Sequence, residues 1–393
     1  MDKFKCVILH NIISPYKTLL FNALVKVMEE KFAVLYIAET ERIRDWKVEK
    51  DNLKFSFDVM FKGQIDNISP FKMLIETFRK LNLYDPEVII IGGYSYISCW
   101  AALLWAKKRK KKVILMNESH FMDKPRNVIK ESIKKLFVSQ CDAALTDGIR
   151  HKDYIISLGL PSDRVFIKRG TGPIDINWFN KQIARFKNDK VEIRNKLGIP
   201  QRNFLFVGRF SPEKNIMFLL RAYKRLVDDG IENWGLILVG DGPQRKDIEY
   251  FITKNNLKNV TLAGFRQKEK LLLFYAISDI FILPSISEPW GLVVGEAMAS
   301  GLPVLVSKWC GCYPDIVHDN INGFSFSPLN LDELLELMKD ISRGKYDLKK
   351  MGDASLEIIR DYTPEEVVRV YKNAIYFVTG ENESPSCCKQ YIS

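Results

Sequence analysis

Ile280-Phe281-Ile282-Leu283-Pro284-Ser285-Ile286-Ser287-Glu288-Pro289-Trp290-Gly291-Leu292-Val293-Val294-Gly295-Glu296-Ala297 reads as one strand-loop-helix step of an alternating α/β fold. The apolar run Ile280 to Leu283 suits a strand buried on both faces, and Pro284 ends it. Pro289 and Gly291 punctuate a loop, and Leu292 to Ser300 reads as a short helix closed by Gly301. Such a step aims the unpaired N–H groups of Gly291, Leu292 and Val293 at one point, which makes a site for anions and hydroxyls. Glu288 stands at the rim of that site, and Glu296 lies one turn into the helix, facing the same crevice. Two carboxylates around a backbone anion cradle suit a ligand with both hydroxyls and phosphates, as a nucleotide sugar has.

The same alternation of short apolar runs and longer amphipathic ones extends over the whole chain and predicts parallel α/β sheets. Strands are expected at Cys6–His10, Ala33–Ala38, Val88–Ile91, Val113–Met116, Ala143–Thr146 and Val165–Lys168, with helices such as Tyr16–Glu30 and Pro70–Leu81 between them. A second series begins at Phe204–Gly208 and continues through Gly235–Gly240, Val260–Ala263, Ile280–Leu283 and Pro303–Ser307. The polar stretch Ile176–Val191 reads as the connection. We therefore expect a doubly wound domain over residues 1–180, a linker over 181–200, and a second doubly wound domain over 201–362. A last helix at about 363–380 would pack back on the first domain, and a tail would span 381–393. Two such domains would face each other across a deep crevice at the carboxyl ends of their strands.

The 393 residues allow two domains of ordinary size, and 47% hydrophobic with 12% aromatic residues can fill two cores. No apolar run has transmembrane length, and the N-terminus reads as a first strand rather than a signal peptide, so a cytoplasmic location is expected. Seven scattered cysteines argue against a disulfide framework. Cys310-Gly311-Cys312 lacks a second ligand pair at zinc spacing, which reads against a metal site. The net charge of +11 is uneven: residues 1–180 hold 30 Lys and Arg against 21 Asp and Glu, and the rest 29 against 27. An acidic substrate, an anionic membrane surface or nucleic acid would each suit a basic first half.

Phe206-Val207-Gly208-Arg209-Phe210-Ser211-Pro212-Glu213-Lys214-Asn215 is a second strand-to-helix step. Arg209 and Lys214 at its mouth would stabilise a departing diphosphate, whose charge grows as its bond to a sugar breaks. Val239-Gly240-Asp241-Gly242-Pro243 is another such turn, read equally as a plain loop or as a nucleotide contact through Gly240. Phe265, after Leu262-Ala263-Gly264, is a candidate for stacking on a base or bonding it through its backbone.

Taken in order, Val-Gly-Arg-Phe-x-x-Glu-Lys-Asn, Gly-Asp-Gly-Pro, Ala-Gly-Phe and the Glu288/Glu296 pair resemble glycosyltransferase family 4, covering most of residues 200–330. That resemblance implies the GT-B architecture of two Rossmann-like domains and a retaining transfer of a sugar, of hexosyltransferase type, from a UDP- or GDP-sugar. It places Glu296 on the nucleotide ribose, Glu288 beside the donor sugar, and Arg209 and Lys214 on the diphosphate. The backbone of Trp290, Gly291, Leu292 and Val293 would serve sugar hydroxyls and phosphates. No cofactor and no metal are implied, and the chain contains no Asp-x-Asp clamp for a diphosphate-bound ion. The departing phosphate would take the acceptor proton, so neither glutamate would be a glycosidase-type nucleophile.

Two stretches depart from the family pattern. Asn11-Ile12-Ile13-Ser14-Pro15-Tyr16 replaces a Gly-Gly loop, a variant resembling members that build surface polysaccharides, and makes Ser14 the candidate phosphate contact there. Gly311-Cys312-Tyr313-Pro314-Asp315 stands where the family has Gly-Gly-x-x-Glu. In Asn117-Glu118-Ser119-His120 the histidine is either the family's donor-sugar contact or a structural residue, and Glu118 is a candidate for an acceptor hydroxyl.

Arg126, Lys130 and Lys134 recur at i, i+4 and i+8 on a predicted helix with Val128, Ile129, Ile133 and Phe137. This is either a membrane-surface stripe or an ordinary helix packed on its own domain. Lys107 to Lys112 is the densest basic run, read as solvated surface or as anionic-lipid contact. No aromatic-rich motif accompanies it, which reads against nucleic acid. The chain is thus expected to transfer a sugar to a glycan or lipid-linked glycan while peripheral on a membrane's inner face. The rivals are a GT-B epimerase or phosphorylase, and a non-catalytic nucleotide-sugar-binding protein.

Overall fold

In the computed structural model, residues 5–28, 31–42, 50–186 and 188–381 are described. Most of the expected tail, with Cys387-Cys388, lies outside them. The chain divides into two compact units: one within residues 1–118, 126–173 and 364–393, the other within 119–125 and 174–363.

The first unit runs β1 (Cys6–His10), α1 (Pro15–Met28), β2 (Phe32–Thr40), β3 (Ser56–Gln64), α2 (Pro70–Tyr84), β4 (Val88–Ile91), α3 (Ile97–Lys108), β5 (Lys112–Asn117), α4 (Val128–Val138), β6 (Ala143–Thr146), α5 (Ile149–Ser157) and β7 (Val165–Ile167). All seven strands are parallel, in the order β3-β2-β1-β4-β5-β6-β7. Central strands such as Val88–Ile91 are apolar throughout because helices cover both faces. One face packs against α2, α3, α4 and α5, the other against α1.

In the second unit come α6 (Ile176–Ala184), α7 (Lys190–Lys196), β8 (Arg202–Val207), α8 (Ile216–Asp228), β9 (Trp234–Val239), α9 (Arg245–Lys254), β10 (Val260–Gly264), α10 (Lys268–Ile277), β11 (Ile280–Leu283), α11 (Leu292–Ala299), β12 (Val304–Ser307), β13 (Gly323–Phe326), α12 (Leu331–Ser342) and α13 (Leu348–Ile359). The parallel order is β10-β9-β8-β11-β12-β13. Each sheet is therefore doubly wound, reversing direction between β1 and β4 and between β8 and β11. The last helix, α14 (Pro364–Thr379), belongs to the first unit, where Val367, Val368, Tyr371, Ala374, Ile375 and Val378 fill the same core as α1.

The stretch read as a linker is instead folded and packed. Asp175 caps α6 by accepting from the Trp178 N–H at 3.0 Å, and Ile176 and Phe179 join the second unit's core. Arg194 of α7 donates to the Asp279 carboxylate at 2.6 Å and to the Ile277 carbonyl at 2.7 Å. Ser119–Pro125 also clusters with the second unit, although its neighbours on both sides belong to the first.

Candidate functional site

Ligands of doubly wound sheets bind outside the carboxyl ends of the strands, where the strand order reverses. In the second unit that point lies between β8 and β11, and the loops leaving these strands carry Arg209, Lys214 and Glu288. After β8, Gly208 donates to the Val239 carbonyl at 3.0 Å and the Arg209 side chain is exposed. A tight turn over Pro212–Lys214 follows, with the Ser211 hydroxyl on Glu213 Oε1 at 2.5 Å. Asn215 closes the turn at φ 55°, and its amide donates to the carbonyls of Pro284 and Pro328 at 3.3 and 3.1 Å. The Ile286 N–H donates to the Glu213 carbonyl at 2.9 Å, so the two loops are stitched together.

Across that stitch Lys214 Nζ donates to Glu288 Oε2, and both side chains are largely buried. Burial alone would lower the Lys214 pKa, but the adjoining Glu288 carboxylate outweighs it and raises the pKa above its ordinary value. The ammonium therefore stays charged at neutral pH.

Backbone contacts fix the Glu288 loop. Its carbonyl accepts from the Gly311 N–H at 2.9 Å and from His120 Nε2 at 3.0 Å, while the Trp290 carbonyl accepts from the Cys312 N–H at 3.0 Å. The Met122 N–H donates to His120 Nδ1 at 3.3 Å, which assigns the ring proton to Nε2. His120 is fully buried, so the structure makes it a clamp on the Glu288 loop. Ser287 adds a hydroxyl bond to the Asp123 carbonyl at 2.5 Å.

Gly291 stands at φ 100°, the left-handed region where glycine is favoured, and turns the chain into α11. In its first turn the Val294 N–H donates to the Gly291 carbonyl at 2.9 Å, while the N–H groups of Leu292 and Val293 ahead of it have no carbonyl to reach within the helix. The Trp290 ring is buried near Tyr362, and its carbonyl is taken by the Cys312 N–H. One turn on, Glu296 Oε2 accepts from the Tyr275 hydroxyl at 2.9 Å. Burial raises the Glu296 pKa, and the Tyr275 hydroxyl and Lys268 only partly offset that.

Gly240, at φ 147°, is explained by the protein itself: a Cβ there would lie 1.9 Å from the Gly208 carbonyl oxygen. Its N–H donates to the Gly264 carbonyl at 3.0 Å, lacing together the loops after β8, β9 and β10. Phe265, beyond Gly264, is 69% exposed at the same edge.

In the first unit, Ser14 precedes α1 and is buried, and its hydroxyl has no hydrogen-bond partner among the described residues. Glu118 Oε1 accepts from the fully buried Lys17 at 2.5 Å. Burial would raise the Glu118 pKa, but the Lys17 and Lys168 ammoniums hold it down to about 2. Arg126 and Lys134 do not form an outward stripe with Lys130. Both bond the Tyr154 hydroxyl, at 2.8 and 2.9 Å, and Lys134 also pairs with Glu131, while Lys130 is exposed.

Tyr275, Asn215 and the 310–312 backbone are site residues that motif reading missed. Asn215 and Gly311-Cys312 lie inside the quoted motifs, which assign them no role, because each acts through contacts with residues 20 or more positions away, as Tyr275 does through Glu296. Among the described residues, no group of three or more His, Cys, Asp or Glu is placed to hold a metal, and no helix is long and apolar enough to cross a membrane.

Two doubly wound sheets with ligand-type loops at a reversal point define a GT-B fold, and solved structures agree. The Anabaena protein HepE, solved in complex with UDP, superposes with a TM-score of 0.74 at 16% identity over 94% of this chain and 99% of that one. Residues 189–357 match the family of glycosyl transferases group 1, which bears out the resemblance to glycosyltransferase family 4 over that stretch of the second unit. Among curated relatives, a sulfoquinovosyl transferase of Arabidopsis thaliana is 30% identical over 207 residues, 52% of this chain and 38% of that protein. The alpha-monoglucosyldiacylglycerol synthase of Acholeplasma laidlawii is 25% identical over 303 residues, covering 73% and 71% of the two chains. The match spans about half the length or less of the first curated relatives, between 38% and 55%.

Proposed function

We propose that this protein is a retaining glycosyltransferase that moves a hexosyl group from a nucleotide diphosphate sugar to a glycan or lipid-linked glycan. The observation that carries this reading is the Lys214–Glu288 pair at the β8/β11 reversal, beside Arg209 and the open N-terminus of α11. UDP is favoured over GDP because HepE was solved with UDP and with UDP-glucose. Lipid-linked acceptors are favoured because relatives are named for diacylglycerol and undecaprenol substrates.

In this mechanism Glu296 accepts hydrogen bonds from the ribose hydroxyls, and the α11 N–H groups with Arg209 hold the diphosphate. As the bond from anomeric carbon to diphosphate oxygen breaks, negative charge grows on that oxygen. Lys214 and Arg209 stabilise it without a divalent ion. Glu288, fixed by Gly311 and His120, orients the sugar hydroxyls. The acceptor oxygen forms its bond on the face the diphosphate leaves, and its proton passes to the leaving phosphate. Ser14 and Glu118 are the first unit's candidates for phosphate and acceptor contacts. The reaction would run at the inner face of an anionic membrane.

A thermal-shift screen of UDP- and GDP-sugars, followed by product analysis with EDTA present, tests this. A donor should raise the Tm by mass action. The product should keep the donor's anomeric configuration and form only when acceptor is supplied. A sugar altered without acceptor would identify an epimerase, and binding without turnover a non-catalytic protein.

A further inference from the structure

A helix that merely covers a sheet turns its apolar stripe inward. In α4 only Phe137 and Val138 are buried, while Val128, Ile129, Leu136 and Ile133 are 83%, 72%, 61% and 51% exposed. At 3.6 residues per turn these four side chains fall within one arc of about 140°. Lys130 and Lys135 border that arc on opposite sides, and both are exposed. The inward side holds the charges instead: Glu131 accepts from Lys134 at 2.6 Å and from the Tyr154 hydroxyl at 2.8 Å, and Arg126 donates to that hydroxyl. Asn127 Oδ1 caps the first turn on the Ile129 and Lys130 N–H groups, so the stripe starts on a fixed helix end. On the same face of the sheet, α2 leaves Phe71, Ile75 and Leu74 exposed at 70%, 49% and 36%.

We propose that the outward stripe of α4 docks on an anionic lipid bilayer. Val128, Ile129, Ile133 and Leu136 enter the interfacial layer, and Lys130 and Lys135 sit against lipid phosphates. Charge selects this occupant: lysines flank an apolar arc, in the half of the chain that holds 30 Lys and Arg against 21 Asp and Glu. The contact-making residues thus differ from the Arg126/Lys130/Lys134 stripe read from sequence, because two of those three are spent on Tyr154. The inference rests on the glycosyl-transfer reading for its purpose, a lipid-linked acceptor presented at the membrane, but its geometry stands on α4 alone.

Co-sedimentation of the full chain with vesicles of phosphatidylcholine and phosphatidylglycerol tests it, with UDP titrated into the same samples. Binding is expected to phosphatidylglycerol-containing vesicles and to weaken with salt. The triple variant Ile129→Ser, Ile133→Ser, Leu136→Ser should lose vesicle binding and keep its UDP affinity. Lys130→Gln with Lys135→Gln should weaken binding about fivefold per lysine. Absence of sedimentation at low salt would overturn the proposal, as would a triple variant that still sediments. A wild-type dimer that the triple variant dissolves would assign the stripe to a second copy instead. Vesicle binding by a chain that binds neither UDP nor GDP would keep the surface and refute the enzyme reading.

Discussion

Both sheets carry buried ion pairs near the carboxyl ends of their strands, but the two places are built differently. In the first unit each lysine is closed off by the protein. Lys17 donates to Glu118 and to the Thr171 carbonyl at 2.6 Å; Lys168 donates to Asp147 and to the Gly170 carbonyl at 2.7 Å, and the Thr171 hydroxyl bonds Asp147 at 2.6 Å. Lys17, Lys168 and Asp147 are wholly buried. In the second unit Lys214 pairs with Glu288 beside the exposed Arg209, the exposed Phe265 and the first turn of α11. A pair closed by carbonyls holds strand ends together. A pair bordered by an exposed cation and the N–H groups of Leu292 and Val293 is poised for a ligand, and it sits where the strand order reverses.

The largest expected effect is in the closed network. Asp147→Ala should destabilise the protein by about 3–5 kcal/mol, because it strands the Lys168 ammonium in the interior. Replacing both partners, Asp147→Leu with Lys168→Met, should recover much of that in thermal unfolding. Nucleotide affinity should not move in either variant; a parallel loss of UDP binding would break the contrast between the two edges.

Lys214→Met should lower turnover by about 10²–10³-fold, the usual cost of removing a preorganised charge from a transition state. Adding Glu288→Gln should restore stability but not rate. Equal recovery of both would make this pair structural too.

Tyr275→Phe should weaken UDP binding by about tenfold, since a hydrogen bond to a charged group is lost. Its pH dependence sharpens the test. The Glu296 pKa lies above the ordinary carboxylate range, and Tyr275 holds it down. UDP affinity should therefore fall on acidification before an ordinary carboxylate would protonate. In Tyr275→Phe that fall should begin at still higher pH.

The smallest effect belongs to Glu118. Its folded pKa of about 2 lies below its unfolded value, so its contribution to stability is complete above the ordinary carboxylate range and is lost as pH falls toward 2. Acid unfolding monitored by circular dichroism should show this limb, and Lys17→Met should shift it upward. An unchanged acid limb would remove Lys17 as its cause.

Continuous apolar runs made most strands legible: Cys6–His10, Val88–Ile91, Ala143–Thr146 and Ile280–Leu283 appear at the expected limits. Ser56–Gln64 was not, because this edge strand is buried over little of its length and lacks such a run. Gly323–Phe326, with a glycine and a serine among four residues, offers little pattern either. Motifs marked Arg209, Lys214, Glu288 and Glu296 because their loops follow strands at fixed local spacing. What holds them was not marked. The His120–Glu288 contact spans 168 positions and Asn215–Pro328 spans 113, and such pairings exist only once the chain folds.

The central claim is that the second unit's open edge binds a nucleotide diphosphate. Calorimetric titration of UDP in EDTA, into the wild type and into Arg209→Ala and Glu296→Ala, tests it most directly. The account predicts one site per chain and at least tenfold weaker binding in each variant, with unchanged unfolding temperatures. Absence of UDP and GDP binding by the wild type, or affinity untouched by either substitution, would contradict it.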